Sequence, residues 1–241
     1  ENITHLDAIL LTHNHKDHTG GLDDIRAFNY IEKKATEIYC EKYVEDSLRM
    51  EYSYAFAENK YPGAPEWRVH LIDENPFEIN GVKIIPIRGR HYKLPVLGFR
   101  FGNIAYCTDM NHIAEDEFEK LKGLEHFVIN CVRRGRHISH YSLEGALEVA
   151  AKVGAGHTWL THLSHQLPRY EELAAELPEV DIFVGTNDYR QIVDIIANHK
   201  DEQEIVVHTN WTEESKEGNA PRIVTTPQHY AYLRISEGCD N

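Results

Sequence analysis

The stretch that most narrows what this chain can fold into is His13-Asn14-His15-Lys16-Asp17-His18. It follows an apolar run, Ala8-Ile9-Leu10-Leu11, that reads as a buried strand within Ile3 to Thr12, and it precedes the pair Gly20-Gly21. A strand committed to a core on one side and a glycine turn on the other deliver four metal-capable side chains together at a sheet edge. Imidazole suits zinc, iron or manganese, and the carboxylate widens the choice toward harder ions. Ligands crowded this closely favour two ions. A solvated histidine-rich loop that picks up metal adventitiously is the plainer alternative, and the strand-before, glycine-after setting argues against it.

Further along, Gly20-Gly21 starts a short helix through Leu22, Ile25 and Phe28, and Lys42 to Ala57 reads as a second helix with Val44, Leu48 and Tyr52 on one side. Pro62-Gly63-Ala64-Pro65 closes that stretch as a loop. Strand patterns follow at Val69 to Ile72, Val82 to Ile87 after an Asn80-Gly81 turn, Val96 to Phe101 and Ile104 to Cys107. Helix over Glu115 to Leu121, strand over His126 to Cys131, helix over Leu143 to Val153 and strand over Thr158 to Thr161 then alternate, which is an α/β order. Ser142 is placed to cap the third of these and Gly154 to end it. Beyond Gln166 the pattern predicts helices over Tyr170 to Leu177 and Tyr189 to His199 and strands over Ile205 to His208, Arg222 to Thr225 and His229 to Ile235.

Charge and cysteine usage bound the function. Lysine and arginine total 25 against 39 aspartates and glutamates, a formal charge of −14 that repels nucleic acid and anionic membrane over most of the surface. Cys40, Cys107, Cys131 and Cys239 stand far apart with no C-x-x-C pair, which fits a reducing cytoplasm better than a disulfide framework. No apolar run is long enough to span a bilayer, and no basic-then-apolar leader is present.

The motif His13-x-His15-x-Asp17-His18 resembles the signature of the metallo-β-lactamase superfamily, whose fold is an αββα sandwich. The resemblance implies an α/β (α+β) hydrolase domain of that type over residues 1–185, short of its first strands, with a C-terminal extension over 186–241 of no assigned role. It also implies three later ligands, each at a strand end: His91 in Arg88-Gly89-Arg90-His91, ahead of Leu94-Pro95-Val96-Leu97-Gly98-Phe99-Arg100; Asp109 in Tyr106-Cys107-Thr108-Asp109; and His162 in Leu160-Thr161-His162. Taken singly, His91 or His162 would more often be a surface or satisfied core histidine. Together they complete a set in which one ion is held by His13, His15 and His91 and the other by Asp17, His18 and His162, with Asp109 bridging. Two divalent ions, zinc or manganese, are the implied cofactors, and iron is compatible with the same donors.

One basic loop interrupts the acidic chain, Arg133-Arg134-Gly135-Arg136-His137-Ile138-Ser139-His140. Arg133, Arg134, Arg136 and His137, with His165 as a weaker candidate, are expected to attract an anionic substrate locally. In the branch that includes the cyclic phosphodiesterase of phosphonate degradation and RNase Z-like hydrolases, a histidine ahead of such a helix protonates the leaving group, and His140 resembles it. The plainer reading is that His140 packs at a helix start and the arginines solvate a turn. With Asp17 and Asp109 as catalytic carboxylates, the resemblance implies a phosphodiesterase that attacks a small cyclic or nucleotide-like phosphodiester with metal-bound hydroxide. The alternatives are a hydrolase of a thioester, lactone or other acyl bond and, from another class, a metal-binding sensor or scaffold without catalysis. Long nucleic acid and membrane are not expected partners; many relatives pair as homodimers.

Overall fold

Strand β1 (Ile9–Leu10) pairs in parallel with β2 (Thr36–Cys40), and β2 in parallel with β3 (Trp67–Leu71), so the segment before the histidine motif is the edge of a three-stranded sheet. The computed structural model describes residues 4–168, with 172–173, 182–184 and 206–208. Along β2, Thr36, Ile38 and Cys40 are buried while Glu37 and Tyr39 are half-buried, the period-2 alternation of a strand with one core face. That strand is absent from the sequence reading, because Glu37 and Tyr39 interrupt an otherwise short apolar pattern.

The second sheet has seven strands. Its path runs β10 (His157–Thr161), β9 (His126–Asn130), β7 (Ile104–Cys107), β6 (Leu94–Phe101), β5 (Val82–His91) and β4 (Phe77–Ile79), with β8 (His112–Ile113) alongside β5. Strands β4 to β7 are antiparallel neighbours, and β7, β9 and β10 are parallel. The Asn80-Gly81 turn joins β4 to β5 with both residues at positive φ, 48° and 82°, as a two-residue hairpin requires.

Two cores follow from strand alternation. Leu11 packs with Ile38, Cys40, Val44, Leu48 and Trp67 beneath helix α3 (Lys42–Glu51), while Leu10, one residue earlier and therefore on the opposite face, packs with Ile72 against Ile84, Leu97 and Phe99 of the second sheet. Helix α4 (Leu143–Val153) buries Leu143, Ala146 and Val149 and packs against β9. Helix, sheet, sheet and helix thus give the expected sandwich. Ser142 caps α4 by accepting from Gly145 N at 3.2 Å, and Gly154 ends it at φ 62°.

Some helices are shorter or tighter than expected. The predicted helix through Phe28 divides into a 3₁₀ turn over Gly20–Asp23 and α2 (Arg26–Glu32); α3 stops at Glu51, with Ser53–Ala55 a separate 3₁₀ turn; and Glu115–Leu121 is 3₁₀ throughout. Each of the first two breaks lies where Asp23-Asp24 or Tyr52 hydrogen-bonds across to another segment or turns the backbone out of the helical region.

Contacts divide the chain into two compact units, Glu1–Leu167 and Pro168–Asn241, and the expected boundary at 185/186 lies within the second. In that unit β11 (Ile182–Val184) pairs in parallel with β12 (Val206–His208). The helices expected over 170–177 and 189–199 and the strands over 222–225 and 229–235 lie outside the described residues, apart from 172–173. Cys40, Cys107 and Cys131 are buried free thiols, each pushed up to about 12 by burial, and Cys239 lies outside the described residues. Among the described residues no helix is long and apolar enough to cross a membrane.

Candidate metal centre

The ends of four strands converge on one point. From the end of β1 the chain passes through His13 into helix α1 (Lys16–Thr19), which carries Asp17 and His18. The final residue of β5 is His91; Asp109 follows β7, and His162 follows β10. Because β7, β9 and β10 are parallel, their C-terminal ends lie side by side, which brings Asp109 and His162 to the same edge. Both residues sit in the left-handed backbone region, φ 55° and 59°, an unfavourable conformation for a side chain with a Cβ and one that marks functional positions.

Asp109 is the hub. Its Oδ2 lies 3.1 Å from His18 Nε2 and 3.8 Å from His13 Nε2, and its Oδ1 lies 3.2 Å from His162 Nδ1. Asp17 Oδ2 is 3.4 Å from His18 Nε2. Three donor groups assemble around this carboxylate: Asp17, His18, Asp109 and His162; His13, His15 and Asp109; and His91, Asp109 and His140, with the ligand atoms of each group within 4.8 Å of one another. The first coincides with one expected half of the site; the second joins His13 and His15 to Asp109 without His91, which groups instead with Asp109 and His140. His91 stands 4.8 Å from His15 and 4.5 Å from His140 between ring centroids, so it faces both the expected partner and the expected acid.

Do these donors fit a cation? His13 is fully buried, and its Nε2 has no hydrogen-bond partner although its other nitrogen is held by Thr12 Oγ1 at 3.0 Å. A buried polar atom left unpaired costs about 1–3 kcal/mol, and a lone pair aimed at a carboxylate among other imidazoles is the arrangement a divalent ion satisfies. Burial, then the neighbouring His18, lowers the pKa of His13 to about 3, so its imidazole is neutral and able to donate to a metal. Burial likewise lowers His91. For Asp109 burial acts upward, but the hydrogen bond from His18 and the charge of His162 outweigh it and hold the carboxyl well below the usual range. The donor set fits.

Second contacts orient these ligands, and sequence reading missed them. Asn130, the last residue of β9 and fully buried, accepts from Met110 N at 2.8 Å and donates to Met110 O at 3.0 Å, gripping the peptide directly after Asp109. Thr108 Oγ1 donates to Asp109 Oδ1 at 2.9 Å, and the Asp109 carbonyl lies 3.2 Å from His91 Nδ1. Tyr52 OH donates to Thr19 O at 2.9 Å, tying the end of α1 to the end of α3. The only signal for Asn130 in the sequence is a polar residue closing an apolar strand, which most surface-directed strands share.

Beside the cluster lies a cavity of about 800 Å³ lined by Tyr92, Asn111, Arg133, Arg136, His137, Ile138, His140 and the start of α4. Of the expected substrate contacts, Arg133, Arg136 and His137 line it; Arg134 is exposed and does not, and His165 is exposed and belongs to neither the cavity nor a donor group. His140 connects the two regions, its ring 4.7 Å from that of His162 and its Nδ1 buried without a partner. Burial lowers its pKa to about 4.

Comparison with known proteins places this geometry. The family described as the beta-lactamase superfamily domain matches residues 1–163. An octanoyltransferase of Porphyromonas gingivalis is 38% identical over 194 residues, 80% of this chain and 39% of that protein. A ribosomal protein uS12 methylthiotransferase of Citrifermentans bemidjiense is 34% identical over 137 residues, 55% of this chain and 31% of that protein. The chain therefore spans well under half the length of these curated relatives. Among solved structures, that of a new diphosphatase from the PhnP family aligns with a TM-score of 0.64 and 33% identity, covering 70% of this chain and 65% of that one.

Proposed function

The chain belongs to the metallo-β-lactamase superfamily, and from that premise we propose that its first unit is a metal-dependent hydrolase of small phosphodiesters, cyclic or nucleotide-like. The observation that carries this reading is the Asp109 carboxylate, met by histidines from α1, from the end of β1 and from beyond β10 at 3.1, 3.8 and 3.2 Å. His13, His15 and His91 would hold one divalent ion, Asp17, His18 and His162 a second, and Asp109 both. Zinc and manganese are the leading candidates for this donor set. Bound there, such ions supply a water of lowered pKa and a counter-charge for the reacting phosphoryl oxygens.

The protein's own groups do the rest. Arg133 and Arg136 draw the anion to a basic cavity in a chain whose charge is −14. His140, whose buried Nδ1 has no partner and which joins the cluster to the cavity, is the group placed to protonate the departing oxygen. The likeness to a diphosphatase at 33% identity favours a phosphorus centre.

A second reading, hydrolysis of an acyl bond such as a thioester, draws on the relative named for octanoyl transfer. One substrate panel separates them. Protein loaded with zinc or manganese is expected to hydrolyse bis(p-nitrophenyl) phosphate and cyclic phosphodiesters, and Asp109→Ala to lose both activity and bound metal. Turnover confined to p-nitrophenyl acyl esters and thioesters would replace the first reading by the second. Stoichiometric metal with no turnover on any of them would point to a sensor or scaffold.

A further inference from the structure

The cavity is larger and more varied than a phosphoryl group needs. Its volume of about 800 Å³ is that of a whole small-molecule site, of order 300–1,000 Å³. Two of its lining residues, Tyr92 and Ile138, are 50% and 64% exposed, although both are large and apolar. Neither is placed there loosely. Asn111 accepts from Tyr92 N at 3.1 Å and donates to Ile138 O at 2.7 Å, so one side chain ties the turn between β5 and β6 to the basic loop. Tyr92 holds a left-handed backbone, φ 57°, a conformation that a tyrosine adopts only when its surroundings impose it.

The polar wall is equally specific. Arg133 donates to Gln166 Oε1 at 2.9 Å and to the Arg136 carbonyl at 3.2 Å, contacts that orient the guanidinium without neutralising it. Among the described residues neither Arg133 nor Arg136 has a carboxylate within ion-pair distance, in a chain with far more acids than bases. A tyrosine ring that already has Lys93 Nζ over it at 5.3 Å, a branched aliphatic side chain and two guanidiniums around one cavity are complementary to a flat ring joined to an anion.

Resting on the hydrolase reading above, we propose that the substrate is a phosphoester carrying a planar heterocycle, with the ring against Tyr92 and Ile138 and an anionic oxygen on Arg136. Tyr92 is then the residue that sets preference among phosphodiesters. Calorimetric titration of the metal-loaded protein with AMP and with ribose 5-phosphate, which differ only by the ring, tests this. AMP is expected to bind about tenfold tighter, within the range for stacking of a base on an aromatic side chain. Tyr92→Ala should bring the two ligands to within about twofold, Tyr92→Phe should keep the preference, and Arg136→Ala should weaken both ligands by a similar factor. Equal binding of AMP and ribose 5-phosphate by the unaltered protein, or a preference that survives Tyr92→Ala, overturns the proposal. Hydrolysis of bis(p-nitrophenyl) phosphate by the same preparation keeps the two claims apart: turnover without ring preference sinks only this one, and ring preference without turnover sinks only the hydrolase.

Discussion

Asn130 commits its side-chain amide to the Met110 backbone, and so holds the peptide directly after Asp109. Its amide spans Met110 N and Met110 O, and the backbone at Asp109 is in a region that the chain would otherwise leave. Asn130→Ala leaves the buried Met110 N–H without an acceptor and is expected to cost about 1–3 kcal/mol in urea unfolding. Metal affinity, read by competition with a chelator, should fall by about 10–100-fold, as it does when an outer partner of a ligand is lost. Lost stability with unchanged metal affinity would reduce Asn130 to a packing residue. The candidate ligands themselves were largely legible: His13, His15, Asp17 and His18 stand together in the sequence, whereas Asn130 is recognisable only once β7 and β9 are known to be neighbours.

At the level of elements, the close approach of β6 to β7 and of β5 to Met110 depends on two glycines. A Cβ at Gly98 would lie 2.8 Å from the Tyr106 carbonyl oxygen and 2.8 Å from Cys107 Sγ; one at Gly89 would lie 2.3 Å from Met110 Sδ. A methionine side chain can move and a strand carbonyl cannot, so Gly98→Ala should be the more damaging, by an amount toward the upper end of the ~1–3 kcal/mol typical of overpacking. Thermal melts of the two variants decide the order; a milder Gly98→Ala would mean that β6 and β7 can separate without loss. Ser142→Ala removes the cap of α4 and should cost about 1 kcal/mol while leaving metal content unchanged, because no proposed ligand lies on that helix. Element type was read correctly wherever an apolar period ran long, as in α4 and β5. It failed at β2, whose partly polar face hides the alternation, and at Glu115–Leu121, where acidic residues in helical spacing form a 3₁₀ segment.

For the whole molecule, all seven proposed ligands and the cavity belong to the unit Glu1–Leu167. An ion that binds only the folded form stabilises the unit that holds it, by about 2.7 kcal/mol at a hundred times its dissociation constant. Scanning calorimetry with and without EDTA should therefore show metal removal lowering one unfolding transition and leaving any transition of Pro168–Asn241 in place. A uniform shift of all unfolding would contradict a metal centre confined to the first unit. The charge of −14 belongs to this scale as well: it disfavours anions over most of the surface, and the proposed substrate would be drawn instead to the cavity lined by Arg133 and Arg136.

The resemblance carried by the His13–His18 motif supplied Asp109 and His162 as ligands; the sequence by itself determined which donors follow β1 and that one basic loop interrupts an acidic chain. Those are local facts, set by residue order and by the period of a strand. Only the tertiary structure decided that His91, Asp109 and His162 meet the first loop, that Asn130 grips the turn after Asp109, and that Tyr92 and Ile138 share a wall with two arginines. Such meetings join residues far apart in the chain, and they depend on which strands pair and how two sheets pack, which no local pattern encodes.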